Sequence, residues 1–78
     1  MPPIEEFRAL SPAALDALEQ AVREQRRVAL RRRGTEYVIV ALRLATGGRD
    51  ELLEGRLPMT GETLAFRLRD LERFAVLP

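Results

Sequence analysis

Hydrophobic and polar positions alternate with two different periods along this chain, and the change falls near residue 26. Before it the spacing is helical. Leu15, Leu18 and Val22 form one stripe, widened by Ala14 and Ala21, while Asp16, Glu19, Arg23 and Glu24 lie away from it. Such a stripe predicts an amphipathic helix packed on a core, with Glu19 and Arg23 at the spacing that lets opposite charges meet on a helix surface. Its start is marked by Ser11, whose hydroxyl can accept from a free amide of the first turn, and by Pro12, which has no amide hydrogen to leave unpaired. Leu10 and Leu15 occupy the staple positions around that cap. Further upstream, Ile4, Phe7 and Leu10 recur every three residues and predict a short helical turn laid on the core.

After residue 26 the period falls to two, the spacing of strands with one buried face. Val28 and Leu30 share a face, Arg33-Gly34-Thr35 reads as a turn, and residues 36–45 form a long strand candidate. Val38, Val40, Leu42 and Leu44 are expected to face the core. Tyr37, Ile39, Ala41 and Arg43 make a second, partly apolar face that calls for its own cover. Residues 46–50, with Gly47-Gly48, suit a hairpin loop. Residues 51–57 return as a strand with Leu53, expected in the core, and Leu57 on one face, and Gly55 between them suggests a bend or bulge. After a turn at 58–62, Leu64, Phe66 and Leu68 alternate inward. Residues 69–72 read as one tight helical turn, and residues 73–77 as a closing strand with Phe74 and Val76 inward. The expected fold is α+β: one N-terminal amphipathic helix on a bent antiparallel sheet or small barrel of four to five strands. Residues 1–78 form a single domain, with tail and helix at 1–26 and the β unit at 27–78.

A helix followed by short strands, the last two joined by a single turn, resembles the small SH3-like and Sm-like β-barrels. The stretch that carries the resemblance is residues 61–77, GETLAFRLRDLERFAVL. The resemblance is one of pattern and implies a fold; it brings no functional residues with it.

Composition narrows the function classes. Against 12 acidic residues stand 13 basic ones, all arginine. The chain has no lysine, histidine, asparagine, cysteine or tryptophan. Arginine in place of lysine is what a GC-rich genome produces, and the lack of asparagine and cysteine also fits a heat-adapted source. Without cysteine there is no disulfide, thiolate metal site or thiol nucleophile, which fits a cytoplasmic protein. The acidic start, Met1-Pro2-Pro3-Ile4-Glu5-Glu6, does not read as a signal peptide, and the apolar run at 37–42 is too short to span a bilayer. The usual general bases and nucleophiles are missing, and Ser11, the only serine, is explained as a cap. The carboxylates Asp50, Glu51, Glu54, Asp70 and Glu72 sit among arginines and read as solvated ion pairs. The expectation is therefore a non-enzymatic binding module with no catalytic residue, no metal and no cofactor.

Arginine crowds at one place: Arg26, Arg27, Arg31, Arg32 and Arg33. Its planar fork suits phosphate, so Arg27, Arg31, Arg32 and Arg33, with Tyr37 as a stacking surface, are the candidate contacts for single-stranded nucleic acid. The alternative is a protein-interaction or self-assembly module. A domain of 78 residues hides only about 60% of its unfolded surface, and a partly apolar second strand face favours a homodimer built on Tyr37, Ile39 and Ala41.

Overall fold

The computed structural model describes residues 6–7, 11–45 and 51–78. Helix α1 spans Pro12–Glu24. The Ser11 hydroxyl accepts from the Ala14 N–H at 3.1 Å, as its position before a proline predicts. At the other end Gln25 takes the left-handed conformation, with φ 50. There the Arg26 N–H donates to the Ala21 carbonyl at 2.9 Å and the Gln25 N–H to the Val22 carbonyl at 3.2 Å. These are the paired bonds of a Schellman stop. The helix buries Ala14, Leu18 and Ala21, with Leu15 and Val22 half-buried beside them. Two alanines in that seam let the helix backbone come close to the sheet.

The strands are β1 (Glu6–Phe7), β2 (Arg27–Arg32), β3 (Thr35–Ala45), β4 (Leu52–Arg56), β5 (Thr63–Arg67) and β6 (Leu71–Val76), with a 3₁₀ turn at Leu68–Asp70 between the last two. They form one antiparallel sheet in the order β1-β6-β2-β3-β4-β5. The fold class is thus the expected α+β, one helix on a small antiparallel sheet. That sheet is strongly bent. Three strand spacings separate β2 from β5, roughly 14 Å in a flat sheet. Yet the Arg32 guanidinium lies 4.8 Å from the centre of the Phe66 ring. The sheet does not close, because β5 has no neighbour on its far side among the described residues.

Two irregularities place side chains where strict alternation would not. In β3 the register slips between Ala41 and Arg43, so Leu42 is an extra residue opposite β4. Between β2 and β6 it slips after Arg31, which leaves Glu72 as the extra residue. The Arg33–Gly34 turn has positive φ at both positions, 49 and 79, the geometry whose twist matches the flanking strands.

Several expectations need correction. The core face of β3 carries Ile39 and Ala41, both fully buried. Val38, expected inside, is 43% exposed, and Val40 and Leu42 are half-buried. The register explains this. Ile39 lies opposite Val28 and Tyr37 opposite Leu30, so the face holding Tyr37, Ile39 and Ala41 is the one turned to the helix. The Leu42 bulge then flips the phase and brings Leu44 opposite the buried Leu53. Ile39 and Ala41 are therefore covered within one chain and offer no surface to a second copy. The remaining core is Leu18, Val28, Leu30, Leu53, Phe66, Leu68 and Phe74, as expected, together with Leu71. Leu64 and Val76 are half-buried against it. Glu6–Phe7 is a strand paired with Ala75 and Phe74, not part of a helical turn; pairing the edge of β6 outweighs the local three-residue spacing. Ile4, Leu10 and the hairpin loop at 46–50 lie outside the described residues.

Candidate binding surface

The arginine strip does not stay together once the chain folds. Arg27 is exposed and points outward, since Val28 and Leu30 point in. Arg31 also points outward, and its Nε lies 3.3 Å from Glu72 Oε2. That Nε is shut off from solvent and makes no hydrogen bond, so the contact is an ion pair with the carboxylate off the N–H axis. Glu72 uses its other oxygen to accept from the Gly34 N–H at 3.1 Å, tying the β2–β3 turn to β6. Arg32, the next residue along β2 and in phase with Val28 and Leu30, turns the other way. It donates to the Tyr37 hydroxyl at 3.2 Å, and its guanidinium stands 5.3 Å from the Tyr37 ring centre and 4.8 Å from that of Phe66. The two rings meet edge to face at 5.2 Å. Arg33 sits at the exposed turn. Arg32 and Tyr37 are thus part of the core's rim, whereas Arg27, Arg31 and Arg33 remain at the surface.

The outward face of the sheet carries a pattern that the linear strip hid. Cross-strand register arranges it in rows. Leu77 bonds to the Arg27 carbonyl at 2.8 Å, and Arg27, Val40 and Arg56 continue that row across β2, β3 and β4. The next row is Ala75, Ala29 and Val38. The third is Arg73, Arg31 and Glu36. A row of small apolar side chains is thus bordered on each side by a row containing arginine, and a shallow cavity of about 300 Å³ opens over it. The exposed charged positions of the helix are instead Asp16, Glu19, Glu24 and Arg23. The near-zero net charge therefore conceals a basic sheet face and an acidic helix. Arg56 and Arg73 were missed as partners of the strip. The signal for them was in the sequence: each is one residue away from an inward position, Gly55 and Phe74.

Among the described residues no group of three or more carboxylate-class or other ligating side chains could hold a metal ion, and no helix is long and apolar enough to cross a membrane. No protein-family model matches the chain, and neither a curated protein nor a solved structure matches it.

Proposed function

We infer that the chain is a small non-enzymatic binding module that takes single-stranded nucleic acid on its outward sheet face. One observation carries the reading: two arginine-containing rows, Arg27 with Arg56 and Arg31 with Arg73, border the Ala75–Ala29–Val38 row. Guanidinium groups so spaced can grip a phosphate backbone from both sides. The acidic helix lies on the other side of the sheet and would not oppose an anion there. The strand order, with one 3₁₀ turn joining β5 to β6, is in keeping with the likeness to SH3-like and Sm-like barrels. Arg27 and Arg31 keep the role expected of them, and Arg56 and Arg73 join them. Arg32 and Tyr37 serve the fold.

The second reading is a protein-interaction module without nucleic acid. It is favoured by the exposure of Val38 and by the inner-face position of Tyr37, Phe66 and Phe74, which leaves no outward ring among the described side chains for bases to stack on. Filter binding of a single-stranded oligonucleotide across salt concentrations separates the two. The nucleic-acid reading expects affinity to fall linearly in log salt, with a slope of about −0.7 per phosphate contact. It also expects the Arg27→Ala, Arg56→Ala double variant to bind more weakly with a shallower slope. No binding at low salt would replace it with the protein-interaction reading.

A further inference from the structure

The two edges of the sheet are not alike. β6 is covered by β1, with Glu6 opposite Ala75 and Phe7 opposite Phe74. β5 has β4 on one side and no strand on the other among the described residues. Exposed edges in soluble proteins are normally blunted by a proline, a bulge or an inward-pointing charge. β5 is Thr63-Leu64-Ala65-Phe66-Arg67, which contains no proline, and its inward residues are Leu64 and Phe66. Its register with β4 runs without a slip from Arg56–Thr63 to Leu52–Arg67.

The peptide groups that this edge presents follow from the ladder. The Leu57 N–H donates to the Glu62 carbonyl at 2.8 Å, and the Leu68 N–H to the Glu51 carbonyl at 2.9 Å. Antiparallel ladders alternate bonded and non-bonded pairs. Leu64 opposite Gly55 and Phe66 opposite Leu53 are therefore the bonded pairs between these positions. The peptide groups of Thr63 and Ala65 turn the other way, to the open side.

We propose that two copies of the chain pair through β5, antiparallel across a two-fold axis at Ala65, so that their sheets become one. The edge is complementary to itself in that register. Ala65 meets Ala65 of the second copy as a bonded pair, Thr63 faces Arg67, and Leu64 faces Phe66. Outward residues meet outward ones, apolar meets apolar, and no arginine faces an arginine. A slip of one residue would set inward side chains against outward ones, and a slip of two would leave an end of the strand unpaired. The two-fold uses the β5 edge of each copy once, so the contact closes at two copies.

Three substitutions test the proposal on the full chain. Ala65→Pro removes an N–H that points to the open side and none from the β4 ladder, a place where edge strands tolerate proline. Ala65→Lys sets like charges opposite each other at the axis and keeps the fold even if the proline does not. Sedimentation equilibrium of the parent chain, from micromolar to submillimolar concentration, should give a dimer, and each variant should weaken it at least about tenfold. Ala65→Cys fixes the register. Bonded antiparallel pairs hold Cα atoms about 5.5 Å apart, within disulfide range, and the chain has no other cysteine. Oxidation should therefore cross-link Ala65→Cys. It should not cross-link Thr63→Cys, whose copies would lie roughly 13 Å apart along the strands. A monomer throughout the concentration range, a dimer indifferent to Ala65→Lys, or equal cross-linking of both cysteine variants would overturn the proposal.

Discussion

The two faces of β3 are made of nearly the same residues and do different things. Val38 and Ile39 are neighbours, both β-branched and both suited to a strand, yet one is 43% exposed and the other wholly buried. What separates them is what covers each face. Ile39 lies on the side packed by the helix, opposite Val28 on β2 and in close approach to Gly55 on β4. Val38 lies on the outward side, across from Ala29 and away from the helix. The sharpest test is to truncate each neighbour in turn. Ile39→Ala should lose about 2–5 kcal/mol of unfolding free energy, as buried aliphatic truncations do. Val38→Ala should stay within about 0.5 kcal/mol of the parent. Urea unfolding of both variants reads the difference directly, and equal losses would mean that the two faces are not distinguished as described.

Gly55 sharpens the same comparison from the neighbouring strand. A Cβ built there would run into the Ile39 Cδ1 and lie 2.8 Å from its Cβ and Cγ1. The glycine is required by this close approach. Gly55→Ala should therefore cost about 1–3 kcal/mol, the range for overfilling a packed core, even though alanine suits a strand no worse than glycine does. Thermal unfolding measures it. A neutral substitution would show that Ile39 has room to move and that the inner face is less tightly packed.

Much of this was legible in the sequence, and the reasons for the rest are local. The helix, its Ser11 cap and the alternation of Leu64, Phe66 and Leu68 follow from spacing alone. The α+β class follows from the change of period near residue 26. The face of β3 did not, because alternation gives two consistent sets on a strand apolar on both sides. The choice depends on Gly55 and the Leu42 bulge, both of which act through pairing with β4. The division of the arginines follows from alternation: neighbours in a strand point to opposite faces, so Arg32, in phase with Val28 and Leu30, turns to the rings while Arg31 stays outside. Rows such as Arg27–Val40–Arg56 exist only once strands far apart in sequence are in register.

Arg32 and Arg27 extend the comparison to charged residues of one strand. Arg32→Ala removes the hydrogen bond to the Tyr37 hydroxyl and a guanidinium stacked near two rings. A cation near aromatic faces contributes roughly 0.5–2 kcal/mol, and the aliphatic stem of an arginine adds packing of its own. A loss of about 1–2 kcal/mol is expected, with oligonucleotide affinity unchanged under conditions where the variant is folded. Arg27→Ala should do the reverse, leaving chemical denaturation nearly unaffected and weakening binding. Paired denaturation and filter-binding measurements check both, and a stable Arg32→Ala variant that fails to bind would return Arg32 to the contact surface.

The smallest expected effect concerns the end of the helix that covers the inner face. Gln25 holds φ 50, a left-handed conformation that costs an L-residue with a Cβ roughly 1–2 kcal/mol. It is kept there because the Schellman bonds to Ala21 and Val22 must form before the chain can enter β2, where the Arg26 carbonyl accepts from the Ala41 N–H at 3.0 Å. Glycine adopts that conformation without strain but gives the unfolded chain more freedom, which offsets part of the gain. Gln25→Gly should therefore stabilise by about 0.5–1 kcal/mol, a rise of a few degrees in melting temperature for a domain of this size. The outward face should be untouched, so salt-dependent oligonucleotide binding should keep its slope. A fall in melting temperature would mean that the Gln25 side chain contributes more at this corner than its backbone strain costs.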